Sequence, residues 1–155
     1  MHANCVAVDA VLAAAGSANR VRLLAKPTST AGAAAEQLGV DVAAIANSLI
    51  FLTDAGEPVL IMASGAHRVD LAKAAAAFGA ASLGRADAET VFAATGQRIG
   101  GVAPVAHPAR LRTLVDRDLA AHDVIWAAGG IPQAVFPTTF AELLNLTDGR
   151  AAAIA

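Results

Sequence analysis

Two uninterrupted apolar runs, Leu49–Leu52 and Val59–Ala63, stand on either side of a turn-forming segment, Asp54–Pro58. Unbroken apolar runs of this length suit buried strands rather than strands with one solvated face. The glycine, proline and acidic residues between them predict a hairpin. A buried hairpin needs helices to cover it, and the flanking sequence supplies them. Val6, Val8, Val11 and Leu12 share a helical face that ends at Gly16. Ser29 or Thr30 caps an alanine-rich helix, Ala31–Leu38, closed by Gly39, and Asp41 caps one further turn over Val42–Ala46. Val69–Phe78 closed by Gly79, and Ala88–Thr95 between Asp87 and Gly96, read the same way. Short strands are expected at Val21–Ala25, Ser48–Thr53, Leu111–Val115 and Val124–Ala127, with a helical turn near Arg117–Ala121. Thr138 or Thr139 opens a last helix to about Leu146, and Arg150–Ala155 reads as a frayed tail. Strands interleaved irregularly with helices predict an α+β fold: a single domain over residues 1–155, built as one mixed β-sheet with flanking helices.

Composition removes several classes of function. The chain is 56% hydrophobic, but 42 of its 155 residues are alanine, so the figure reflects helix-forming content more than greasiness. No stretch approaches the roughly 20 apolar residues of a membrane span. Met1–Ala18 lacks a basic start and is interrupted by Asp9, unlike a signal peptide. Eleven basic against 13 acidic residues leave no bulk attraction to polyanions, which argues against DNA and confines nucleic-acid contact to a small local surface. Cys5 is the only cysteine, and His2, His67, His107 and His122 show no metal-ligand spacing. A cytoplasmic protein with no metal and no membrane association is the expectation.

The chemistry-bearing candidates are few. Dinucleotide, P-loop, nucleophile-elbow and HExxH patterns are all absent. Cys5 has no histidine at helical spacing to activate it. Gly96–Pro108, with three glycines, two prolines and almost no charge, is too irregular for a helix or strand and too apolar for a solvated linker, so it predicts a packed, shaped loop. The pairs Gly100/Gly101 and Gly129/Gly130 suit either backbone amides aimed at an oxyanion or tight turns between strands.

Taken together, IANSLIF (45–51), SGAHRVDL (64–71), ADAETVFAATGQRIGGVAPVAHP (86–108), VIWAAGG (124–130) and AELLNLT (141–147) resemble the YbaK/EbsC family, the prolyl-tRNA synthetase-associated domain. The resemblance covers residues 21–147, and its most specific part is TGxxIGGVxPVxHP, residues 95–108. It implies the same mixed-sheet fold and an aminoacyl-tRNA deacylase that edits in trans, hydrolysing the ester of alanine or cysteine mischarged on proline tRNA. No cofactor is expected. The implied partners are the tRNA acceptor end and prolyl-tRNA synthetase.

On the resemblance, Gly100, Gly101, Val102 and Pro104 form the wall that holds the aminoacyl group and terminal adenosine, and Gly129 with Gly130 forms the backbone edge facing it, next to the substrate-binding candidate Ala128. Ser48 and Ser64 are further substrate-binding candidates. His107, Arg68 and Asp116 match recurrent polar positions. Read locally, His107 serves equally as a loop histidine bonding backbone, Arg68 as an ion-pair partner of Asp70, and Asp116 as a cap. The departure is Asn47, where the family pattern carries a lysine ahead of Ser-Leu. Asparagine keeps a donor but loses the positive charge and reach, which weakens stabilisation of developing negative charge. Asn47 alternatively ends a helix in a left-handed conformation. Two other readings therefore stand beside the enzyme: a catalytically silent module that binds aminoacyl-tRNA or a synthetase, and an unrelated small-molecule binder.

Overall fold

A computed structural model describes all 155 residues. The elements run α1 (Ala3–Ala14), β1 (Arg22–Leu23), α2 (Ala31–Leu38), β2 (Ile45–Thr53), β3 (Pro58–Ser64), α3 (Leu71–Phe78), β4 (Leu83–Arg85) and α4 (Ala88–Thr95). They continue as β5 (Arg112–Asp116), β6 (Ile125–Ala128), β7 (Ala134–Thr138), α5 (Phe140–Thr147) and β8 (Arg150–Ala152), with short 3-10 turns at Val42–Ala44 and Arg117–Ala121. One sheet takes the order β1-β7-β6-β2-β3-β5-β8, and β4 pairs separately with β2. β2 and β3 form the antiparallel hairpin, whereas β3–β5, β5–β8 and β2–β6 are parallel, so the sheet is mixed.

The apolar run of β3 is buried because both faces of the sheet are covered there. Side chains alternate along a strand. Leu60 and Met62 of β3 join α1, α4 and α5 in the larger core, with Cys5, Leu12, Val91 and Leu143. Val59, Ile61 and Ala63 point the other way, onto Ala74, Ala75 and Phe78 of α3. α2 covers a third, smaller cluster with Ile45, against which Trp126 packs.

The helix starts follow local chemistry. Thr30, Asp70, Asp87 and Thr139 each accept a backbone N–H of the first turn, from Ala33, Lys73, Thr90 and Glu142 respectively.

Three expectations need correction. β1 is only Arg22–Leu23, because its single neighbour β7 turns away into the Ile131–Gln133 segment. Asn47 lies inside β2, since the turn opened by Asp41 is a short 3-10 turn ending at Ala44. The C-terminal segment is no frayed tail: β8 pairs with β5, Ile154 is 1% exposed in the α3-side core, and its carbonyl accepts from Asp70 N–H at 2.7 Å.

Candidate active site

The site begins with a gap in the sheet. On one side β2 is paired with β3 from Ala46 to Leu52; on the other it meets β6 only at Ile45 and Ala46, and β4 only from Phe51 to Thr53. Ile45 O accepts from Gly65 N, and Thr53 N donates to Glu57 O, both on the β3 side. Backbone direction alternates along a strand, so the N–H and C=O of Ser48 face the opposite edge, where no strand pairs with them.

A cleft of about 170 Å³ fills this gap, between β2, the Thr28–Thr30 segment, α2, β6 and the loop after α4. Its walls include Asn47, Ser48, Gly100, Val102, Trp126 and Ala128. A second compartment of about 340 Å³ adjoins it between β2, β4 and α4, lined by Phe51, Arg85 and Val91 among others. Ser48, Leu49, Ile99, Gly100 and Val102 border both, so these five residues form the passage from one to the other. Neither compartment contains a carboxylate, and the one ionisable lining group is Arg85.

The loop that closes the passage is held from inside by a polar pair the sequence reading passed over. Gln97 is 2% exposed; its Oε1 accepts from Ala103 N at 2.6 Å and its Nε2 donates to Val105 O at 3.2 Å. Thr95, equally buried, has its hydroxyl 2.7 Å from Val91 O and accepts from Gln97 N. These bonds fold Gly96–Val105 back on itself and leave Gly100 and Val102 at the cleft with N–H groups that meet no acceptor within the protein.

The glycines divide by role. Gly101 is buried behind the wall, its N–H donating to Arg98 O, and a Cβ there would lie 2.3 Å from the Ile131 carbonyl carbon. Close backbone approach is therefore what Gly101 provides. Gly129 N–H is spent on Ala134 O at 2.7 Å, and Gly130 O accepts from Asn4 Nδ2. Neither glycine of the expected facing edge lines the cleft, whereas Ala128 beside them does.

Asn47 is exposed at the cleft, and its side-chain amide makes no hydrogen bond within the protein. No cation lines the first compartment in place of a lysine. Lys73 donates to Ala155 O.

Five candidates sit elsewhere. His107 and Pro104 line a separate groove beside Val11 and Arg110. His107 Nε2 lies 2.8 Å from Ala103 O, which fits the tautomer with the proton on Nε2, and burial holds its pKa below the usual imidazole range. Ser64 and Asp116 meet at the ends of β3 and β5. Asp116, 1% exposed, accepts from Ser64 N at 3.0 Å and Asp118 N at 3.0 Å, and its Oδ2 lies 2.7 Å from His67 Nδ1. Asp116 does cap the turn that follows, and it also braces the turn at Gly65–His67. His67, Asp116 and Asp118 offer ligand atoms within 4.8 Å of one another, but the Asp116 oxygens are already bonded. Arg68 is exposed, lines neither compartment and forms no ion pair with Asp70, which instead caps α3.

Cys5 is buried in the core with its thiol pKa pushed up by that burial, so it is no nucleophile. Thr28–Thr30, Ile99, Trp126 and Arg85 were not singled out as site residues: Ile99 and Trp126 lie within the segments that carry the resemblance but are apolar, Thr28–Thr30 and Arg85 lie outside them, and the packing brings all of them to the two compartments.

Residues 25–146 match the family model described as the aminoacyl-tRNA editing domain. Among solved structures, a candidate trans-editing enzyme for prolyl tRNA synthetase is 37% identical, with a TM-score of 0.92 over 99% of this chain and 98% of that one. A scaffold protein from work on epitope backbone grafting by computational design is also 37% identical, with a TM-score of 0.90 over 99% and 97%. A hypothetical protein, APE2540, is 30% identical, with a TM-score of 0.88 over 96% and 98%.

Proposed function

Since the chain belongs to the aminoacyl-tRNA editing domain family, we propose that it hydrolyses the ester of mischarged aminoacyl-tRNA, with alanyl- or cysteinyl-tRNA for proline as substrate. The observation that carries this reading is the passage between the two compartments. An aminoacyl ester has an amino acid on one side and a ribose on the other, and the unpaired N–H groups of Ser48 and Gly100 lie at the boundary such a molecule straddles.

In this reading the amino acid enters the 170 Å³ compartment, whose walls at Ala31, Ala34, Ala46 and Ala127 suit a small side chain. Water attacks the ester carbonyl carbon, and negative charge collects on the carbonyl oxygen. The Ser48 and Gly100 N–H groups, with the Asn47 amide, donate to that oxygen; one such donor is worth about 10² to 10³ in rate. As the intermediate collapses, the C–O bond to the ribose breaks and the water's proton passes to the leaving oxygen, giving free amino acid and a tRNA with its terminal hydroxyl restored. No lining side chain is a general base, so the proton moves through water or a group of the substrate itself. Holding the reactants in register contributes the remainder. A prolyl-tRNA synthetase is the partner that supplies such mischarged tRNA.

A second reading, an aminoacyl-tRNA-binding module without turnover, is favoured by one observation: the first compartment contains no cation to replace the family lysine at Asn47. Single-turnover deacylation of alanyl- and cysteinyl-tRNA for proline, by this chain and by Asn47→Lys, separates the two. Turnover by the unaltered chain supports the enzyme. Turnover by Asn47→Lys alone, with both proteins binding charged tRNA, makes the native chain a binder. Binding of neither charged nor uncharged tRNA sinks both.

A further inference from the structure

Although the chain is net negative, its cations are unevenly engaged. Several away from the cleft are engaged: Arg112 makes a bidentate pair with Glu57, Arg110 pairs with Asp148 at 3.3 Å, Arg20 and Lys73 donate to backbone carbonyls, and Arg150 donates to Ala77 O. Arg68 and Arg117 are exposed and unpaired, but neither lines either compartment. Arg85 lines the second compartment and makes no ion pair or hydrogen bond. Arg98 precedes Ile99 of the passage, has no acidic partner, and lies over the Phe92 ring at 5.1 Å. The acidic residue nearest Arg85 in sequence, Asp87, accepts from Thr90 N and so faces its own helix, and Glu89, in the first turn of α4, forms no ion pair with either arginine.

Apolar side chains beside these two arginines are left in solvent. Ile99 is 58% exposed and Phe92 47% exposed. Apolar side chains left in solvent beside unpaired guanidinium groups match the surface of a single nucleic-acid strand, whose bases need stacking or apolar contact and whose phosphates need charge. The second compartment also has twice the volume of the first.

On the deacylase reading above, we infer that the second compartment seats the terminal nucleoside of the tRNA, that Arg85 takes the phosphate on its 5′ side, and that Arg98 with Phe92 and Ile99 guides the preceding nucleotide out across β4 and α4. The strand therefore leaves on the Arg85 side rather than past Lys26 and Arg22 at the β1 edge, because Arg85 lines a compartment and neither Lys26 nor Arg22 does.

Three esters of one amino acid test this: aminoacyl-tRNA, 3′-aminoacyl-adenosine 5′-phosphate, and 3′-aminoacyl-adenosine. Arg85→Gln should raise KM about 10-fold on the first two and leave the third, which has no phosphate, unchanged. Arg85→Gln/Arg98→Gln should also flatten the salt dependence of tRNA binding by about 0.7 per arginine in log Kd against log salt. Arg22→Gln/Lys26→Gln should leave all three esters and the salt slope as they are. Equal loss on the phosphate-free ester means a structural role for Arg85 and overturns the inference, as does loss confined to the Arg22/Lys26 pair. If the unaltered chain hydrolyses the esters but the arginine variants match it, only this inference fails; if it neither binds nor hydrolyses any of them, the deacylase reading fails with it.

Discussion

Gln97→Leu is the most informative single change outside the cleft. Leucine fills nearly the same space but leaves Ala103 N–H without its 2.6 Å acceptor and Val105 O without its 3.2 Å donor. Both partners are in a region where Gln97 itself is 2% exposed, so water does not replace what is lost. Each buried unpaired group costs about 1–3 kcal/mol, and the apolar gain of leucine offsets a fraction, which leaves a net loss of about 2–4 kcal/mol. For a chain of this size that lowers Tm by about 5–15 °C. Because the same bonds set the course of Gly96–Val105, the Gly100 N–H loses its position, and deacylation should fall by about 10-fold or more even at temperatures where the variant is fully folded. Calorimetry or thermal unfolding by circular dichroism gives the first quantity, and single-turnover deacylation well below Tm gives the second. A variant within 1 or 2 degrees of the parent, or a destabilised variant with full activity when folded, would refute the argument that Gln97 holds the loop for the site.

Gly101→Ala places a Cβ 2.3 Å from the backbone of Ile131, so the loop must move away from β6 and β7; turnover should drop at least 10-fold, and unchanged activity counts against a fixed wall. His107 has its pKa depressed by burial, so the unfolded chain binds the proton first as pH falls. Its contribution to stability is present above about pH 6.5 and declines as pH drops from there toward the lower folded-state value. His107→Gln keeps a donor for Ala103 O and removes that titration, so denaturant midpoints of the variant should vary less between pH 7 and 5; parallel profiles refute the assignment. Ile154→Ala, near the chain end, should cost about 2–5 kcal/mol, whereas a loose terminus would lose nothing measurable in urea unfolding.

Much of the architecture was written in local chemistry. The β2–β3 hairpin was legible from its two apolar runs around a turn segment, α2, α4 and α5 because each begins at a threonine or aspartate that accepts a first-turn N–H, and α3 from its apolar spacing and closing glycine, with Asp70 its cap rather than part of the helix. β8 was not legible because Arg150–Ala152 has none of the branched or aromatic side chains that mark strands; its pairing to β5 is a tertiary contact that no window of residues contains. The same limit applies to the site. The glycine-rich loop announced itself, and Asn47, Ser48, Gly100, Val102 and Ala128 do converge on the cleft. Ser64, Asp116 and His107 carry the residue types of a catalytic site but serve as braces, because a polar side chain's job is decided by what folds beside it. Arg85 comes to the second compartment from a strand with an unremarkable sequence, and Trp126 to the cleft from within VIWAAGG, each positioned by register with β2.

The gap along β2 also has a bearing on how the protein behaves in company. Unpaired strand backbone is a template for recruiting another extended chain, and proteins blunt it with charge, proline or cover. Here the vacancy lies at the centre of the sheet, bounded at its ends by β6 and β4 and across from it by Ile99–Val102. A small ester reaches it, but a second strand needs a length of free edge that these walls deny. The loop that shapes the cleft is thus also a guard against self-association, so changes that open it should be followed by light scattering as well as by activity.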